Sequence, residues 1–282
     1  MKTRLLSLIL ISSCCLHAAA RAEGEAPAAV PAPTPEHTFT GNVAFVSDYR
    51  FRGISQTWKR PAVQAGFDYA HASGLYAGTW ASSVSGNSYN NGAGMEWDLY
   101  GGYRLPLAEA VTLDLGALAY VYPGARLNAA PGQPSAHKYD NVDVYAAVTA
   151  GAFSAKLSIA ATDYFGLDGA TAGYAYFSAL PAEGSSRGTA YLDLNYGLEL
   201  GQGVSAGLHL GRLWVRRYGE LSYTDWKLSV SKALPELGGL TLALAVVGTD
   251  ADPALYQAGD SAAQRAKRLG DTGVVLSVSR TF

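Results

Sequence analysis

From Phe39 to the end of the chain, stretches of about ten residues alternate apolar with polar or very small side chains, and turn-forming residues separate them. Side chains on a strand point alternately to its two faces, so each stretch has one apolar and one polar face. In 94–105, Met95, Trp97, Leu99, Tyr103 and Leu105 share one face, while Glu96, Asp98 and Arg104 share the other. In 189–200, Leu192, Leu194, Tyr196, Leu198 and Leu200 oppose Asp193, Asn195 and Glu199. Twelve such segments are predicted, at roughly 39–52, 61–71, 75–83, 94–105, 110–122, 139–150, 153–163, 188–200, 203–214, 220–232, 239–249 and 271–282.

The connectors carry independent information. After the odd-numbered segments come 53–60, 84–93, 123–138, 164–187, 215–219 and 250–270. After the even-numbered ones come 72–74, 106–109, 151–152, 201–202 and 233–238. Apart from 215–219, the first set is long and the second short, as in outer-membrane barrels with long outer loops and short periplasmic turns. In hydrocarbon every backbone polar group needs a partner, which an open sheet edge cannot supply. A soluble protein would instead bury the apolar faces in a second layer. The expected fold is all-β: a transmembrane antiparallel up-and-down barrel of about twelve strands over residues 38–282.

Composition fits. Only 16% of the 282 residues are charged, against about 25% in ordinary soluble domains. A net charge of −2 offers no basic excess for nucleic acid. Beyond residue 22 no apolar run is long enough for a membrane helix. Lys2 and Arg4, the apolar Leu5–Leu16 run and Ala20-Arg21-Ala22 read as a signal peptide over 1–22, cleaved before Glu23. Residues 23–37, rich in proline and alanine, read as a disordered tether. The two cysteines, Cys14 and Cys15, fall inside the signal segment. Ile11-Ser12-Ser13-Cys14 resembles a lipoprotein cleavage box only faintly, and Ala20-Arg21-Ala22 competes with it. The processed chain then has no thiol for a disulfide, zinc site or nucleophile, and no cofactor or metal is expected.

Strand parity gathers Asp48, Arg50, Arg52, Asp68, Glu96, Asp98, Arg104, Asp114, Asp143, Lys156, Asp193, Glu199, Asp225 and Lys227 as candidate pore-lining residues, nine acids and five bases. Such a lining would mildly favour cations, or its charges could pair across strands and fill the lumen. Arg50 and Arg52, two apart on the first strand, would form a positive step or anchor to Glu96 or Asp98. His209 and Ser205 share the inward face, without the spacing of a hydrolase motif; polar lumen groups are the simpler reading. Gly92-Ala93-Gly94 and Gly201-Gln202-Gly203 precede strands rather than helices, and so are turns rather than phosphate loops. Gly66, Gly116, Gly207 and Gly211 would relieve crowding. Tyr49, Tyr69, Trp97, Tyr103, Trp214 and Trp226 suit an interfacial girdle. The loops 123–138, 164–187 and 250–270 could fold inward or face outward, and Arg265, Lys267 and Arg268 could touch lipopolysaccharide.

Ser47-Asp48-Tyr49-Arg50-Phe51-Arg52-Gly53-Ile54-Ser55-Gln56, followed by 61–69, closely resembles the opening of the TorF-type porins. Softer matches are 74–80, 96–103, 223–227 and the last strand, ending in Phe282. The resemblance implies a Gram-negative outer-membrane barrel of the porin type and no known substrate; the expected role is a diffusion channel for small hydrophilic solutes. Its partners would be outer-membrane lipid and lipopolysaccharide, with periplasmic chaperones and the barrel-assembly machinery during biogenesis. Phe282 would be the terminal signal read by that machinery. A non-conducting barrel with a structural or surface-binding role is the alternative.

Overall fold

The computed structural model describes residues 35–88, 92–127, 137–173, 178–260 and 265–282. The expected signal peptide and nearly all of the tether lie outside the described residues. Twelve strands close a single barrel. They are β1 (His37–Val46), β2 (Ala62–His71), β3 (Leu75–Ser83), β4 (Met95–Ala108), β5 (Val111–Val121) and β6 (Asn141–Ala150). The remainder are β7 (Phe153–Ala160), β8 (Ala190–Gly201), β9 (Val204–Trp214), β10 (Tyr223–Leu234), β11 (Leu240–Thr249) and β12 (Gly273–Thr281). Each pairs antiparallel with its sequence neighbour, and β12 returns to β1.

Alternation fixes which face is which. Phe39, Val43, Phe45, Val63 and Phe67 are exposed on the outside of β1 and β2, as are Val274, Leu276 and Val278 on β12. The same outward belt continues through Leu99, Leu115, Val148, Leu157, Leu198, Leu210, Leu228 and Leu244. A contiguous apolar surface on this scale is not tolerated in water; it is the dress of a barrel in lipid. Trp97 and Trp214 mark the belt near the long-loop end and Tyr103 near the other, all outward and exposed.

Inside, glycines make room for aromatic rings on the neighbouring strand. A Cβ at Gly116 would lie 2.5 Å from the Tyr145 hydroxyl, and one at Gly78 2.5 Å from Cζ of Tyr100. The crowding expected at Gly116 and Gly211 is therefore ring packing, which only a missing side chain permits, while a Cβ at Gly66 would meet the Asn42 amide at 2.8 Å and the Trp80 ring at 3.1 Å. At the seam, Gly41 and Phe282 exchange two backbone hydrogen bonds of 2.8 and 2.9 Å, and the terminal ring covers Gly41.

Two expectations fail at the start of the barrel. The first strand ends at Val46 rather than 52, and residues 47–61 leave the wall. Asp48, Arg50 and Arg52 are therefore not on β1, and Tyr49, 2% exposed, belongs to the interior rather than to an interfacial girdle. At its other end β1 takes in His37, which the sequence placed in the tether.

Candidate functional site

The lumen has two unlike halves. At the long-loop end, residues 47–61 fold inward as a plug. Its short hairpin pairs Arg50 with Ser55 and Phe51 with Ile54, and turns through Arg52 (φ 48°) and Gly53 (φ 78°). A non-glycine residue in the left-handed region is costly and persists only where its surroundings hold it. Arg52 is so held. Its guanidinium donates to Asp143 at 2.7 Å and to the Tyr164 hydroxyl at 3.2 Å, and stacks 4.3 Å from the Tyr191 ring centroid. Tyr223 donates to its carbonyl at 2.9 Å. Burial by itself would lower the Arg52 pKa; the facing Tyr164 and Asp143 outweigh it and keep the group charged.

Asp48 organises the base of the plug. It accepts from Arg50 Nε at 2.5 Å, Ser55 at 2.6 Å and Thr57 at 3.0 Å. Arg50 also donates to the carbonyls of Gly53, Leu269 and Asp271, each at 3.0 Å. Tyr49 donates to Glu96 at 2.9 Å. The Trp58 indole donates to the Ala258 carbonyl at 2.9 Å beneath the Lys267 ammonium. The expected anchoring of Arg50 or Arg52 to Glu96 or Asp98 is thus replaced by Arg50–Asp48 and Arg52–Asp143. The geometry decides this: once the chain turns inward at Asp48, Arg52 reaches across the mouth to β6.

Apolar packing narrows the mouth and leaves an apolar cavity between Phe51, Ile54, Tyr164, Leu180, Tyr223 and Tyr256. Phe51, Tyr120, Tyr122, Leu127, Tyr139 and Phe165 form one buried cluster; Ile54, Trp58, Leu167, Tyr191, Leu213, Tyr223 and Leu269 belong to a second. Parts of the loops 164–187 and 250–270 therefore fold inward. Residues 128–136 of the loop 123–138 lie outside those described. Of the three bases offered to lipopolysaccharide, Lys267 is engaged with Trp58, while Arg265 and Arg268 are exposed.

Toward the short-turn end the lumen opens into a chamber below Asp48 and Arg50. Ser205, Ser229, Ser231, Thr241, Ser277 and Ser279 line it, with Ala243, Ala245 and Lys227. The facing wall is tyrosine-rich: Tyr76 donates to Asp114 and Tyr100 to Asp68, each at 2.6 Å, and Arg104 lies 4.1 Å from the Tyr76 ring centroid. Lys156, beside Asp193 in the ladder, sits 5.4 Å from the Tyr145 ring.

Between these halves His209 joins two expected lumen acids. Its Nδ1 lies 3.0 Å from Asp193 and its Nε2 2.8 Å from Asp225. A carboxylate oxygen thus stands within hydrogen-bond distance of each ring nitrogen. Ser205 instead donates to Glu199 at 2.9 Å, so the pair weighed for hydrolysis is not assembled. Near the plug, Glu96 and Asp98 are buried; among the described residues Asp98 Oδ1, Asp68 Oδ2 and Gln64 Oε1 have no hydrogen-bond partner. Sequence reasoning missed the plug, most of the hydroxyl wall, of which it placed Ser205 inward, and most of the inward tyrosines. Parity alone would have found Tyr76, Tyr100 and Tyr191, each of which alternates with outward apolar residues.

Over residues 30–282 the chain matches the family described as "Bacterial protein of unknown function (Gcw_chp)". The chain belongs to the Gcw_chp family. No curated protein matches it. Among solved structures it is similar to a KdgM porin (9% identity, 86% of this chain and 99% of that one, TM-score 0.46). It is similar also to a NanC porin (9%, 86% and 98%, 0.48) and to OpdL of Pseudomonas aeruginosa (14%, 86% and 67%, 0.36). At these scores the likeness adds nothing to the barrel seen directly in this Gcw_chp member.

Proposed function

We propose that this Gcw_chp member is an outer-membrane channel of the TorF-porin type that passes small hydrophilic solutes. The observation that carries the reading is a closed barrel, apolar outside, enclosing a hydroxyl-lined chamber that reaches from the short-turn end to the underside of the plug. A wall of serines beside a single lysine can hydrogen-bond solutes in passing without holding them. The long loops would face the exterior and the short turns the periplasm. The plug then closes the extracellular mouth, and passage requires residues 47–61 to shift or loosen.

Nine acids against five bases among the inward residues support a mild cation preference. Arg50 and Arg52 act in this reading as latches rather than as a selectivity step, since each is committed to a carboxylate. Phe282, on the seam with β1, is the terminal signal for assembly, and Arg265 and Arg268 are the surface bases left for lipopolysaccharide.

The packed mouth favours a second reading, a non-conducting barrel with a structural role. Single-channel recording of the purified barrel in planar bilayers separates the two. Discrete steps, with reversal potentials shifted toward the cation in a salt gradient, support the channel; a silent barrel that stays silent after the plug is loosened supports the alternative.

A further inference from the structure

We infer that Glu36, His37 and His71 form a site for a borderline divalent transition-metal ion, of the Zn2+ and Cu2+ class, at the short-turn rim of the barrel. His37 and His71 are direct partners in the β1–β2 ladder. The Ala72 amide donates to the Glu36 carbonyl at 2.9 Å. That makes 36/72 a hydrogen-bonded pair and 37/71 the adjacent non-hydrogen-bonded pair, the kind that brings side chains closest. The two imidazole centroids are 5.2 Å apart. Glu36 Oε1 lies 3.5 Å from His71 Nε2, and one ligand atom from each of the three residues falls within 4.8 Å of the others.

A second feature distinguishes this group from a chance meeting of polar residues. The Nδ1 of His37 sits 3.0 Å from the Tyr69 hydroxyl, and the Nδ1 of His71 sits 2.8 Å from the Ser73 hydroxyl. Metal-bound imidazoles characteristically hold their second nitrogen on an oxygen partner, which fixes both tautomer and ring orientation. Here each ring has that partner and keeps Nε2 for an ion. The His71 Nδ1 also accepts from the Ser73 amide at 3.1 Å, so Nε2 carries the ring proton beside Glu36; an ion bound at Nε2 displaces that proton, and its transfer to Nδ1 requires the Ser73 amide contact to open.

The donor set selects the class. Two imidazoles and one carboxylate suit zinc or copper, whereas calcium takes six to eight oxygens and magnesium an octahedral oxygen shell. Three protein ligands leave a fourth position for water. Glu36 is exposed and precedes β1 directly, so its side chain can close on the ion while the strands supply a fixed histidine pair. The ion would tie the incoming chain to the first hairpin. His37 shares the outward face with Phe39 and Val43, so the site is separate from the lumen and does not depend on the channel reading.

The test uses the full-length barrel purified without a histidine tag and titrated calorimetrically with zinc chloride and, separately, copper chloride. One ion per chain at micromolar affinity or tighter is expected, with no heat from magnesium or calcium. Affinity should fall by about ten-fold or more in His37→Ala and in His71→Ala, and less in Glu36→Gln. Electron paramagnetic resonance of the copper-loaded wild type should show coupling to two imidazole nitrogens, a readout that needs no variant to fold. Absence of binding, binding unchanged in the histidine double variant, or a copper spectrum without two nitrogens would overturn the assignment.

Discussion

The two halves of the lumen are built on the same strands with the same alternation, yet one is filled by chain and the other by space. Toward the long-loop end the inward positions are large or charged, such as Tyr120, Tyr191, Asp143 and Asp225, and segment 47–61 packs into them. On the β9–β12 side of the short-turn end they are serine, threonine and alanine, and among the described residues they line open space. A twelve-stranded barrel lies between the small barrels that side chains fill and the large ones that stay open. What each inward position carries therefore decides, level by level, whether the bore is closed. The plug is held by polar bonds at fixed places, while among the described residues the chamber is open space, so perturbing each should give unlike results.

The largest effect is expected from replacing Arg50–Trp58 with a glycine-serine segment of equal length. Conductance in planar bilayers should rise several-fold, because the buried clusters lose Phe51, Ile54 and Trp58 together. A smaller local effect should come from Arg52→Ala, which strands Asp143 at 3% side-chain exposure without its 2.7 Å partner. Breaking one side of a buried ion pair costs about 3–5 kcal/mol. Hydrogen exchange should quicken across 47–61 while the strand amides stay protected. Loss of protection in β6 and β8 as well would mean that plug and wall are one unit.

Gly116→Ala probes the tyrosine-rich wall, opposite the serine wall. Its Cβ would meet the Tyr145 hydroxyl at 2.5 Å and the Gly101 carbonyl at 2.7 Å. Backbone cannot yield as a flexible side chain can, so a loss of about 1–3 kcal/mol is expected, read from urea unfolding of the barrel in lipid vesicles. The smallest structural effect should come from Ser229→Glu on the chamber wall. Stability should stay within about 0.5 kcal/mol, while the reversal potential in a salt gradient moves further toward the cation. An unchanged reversal potential would remove the chamber from the conduction path.

Much of the wall could be read from the sequence because the period of two is imposed by two solvents, lipid outside and a polar interior within. Eleven strands begin or end within a few residues of the expected positions for that reason, even 75–83, whose alternation is weak. The first strand was overrun because Tyr49-Arg50-Phe51-Arg52 continues the same alternation after the chain has left the barrel. A hairpin inside the lumen meets carboxylates on one side and aromatic rings on the other, so it shows the period of a wall strand. Gly53 and the Ser55-Gln56-Thr57 run mark a turn and an internal polar network, but which carboxylate Arg52 meets is a question of barrel geometry. The Arg52–Asp143 and His209–Asp193–Asp225 contacts join residues 91, 16 and 16 positions apart, and only the ladder registers bring them together.

Thiol labelling from the two sides of the membrane tests the blocked mouth and open chamber most directly. The only native cysteines, Cys14 and Cys15, precede the barrel, so Ser277→Cys places a single reporter in the chamber. With a membrane-impermeant maleimide, rapid labelling is expected from the short-turn side. From the long-loop side it should be slow, becoming rapid once Arg50–Trp58 is replaced. Equal labelling from both sides of the barrel with its native plug would contradict the account.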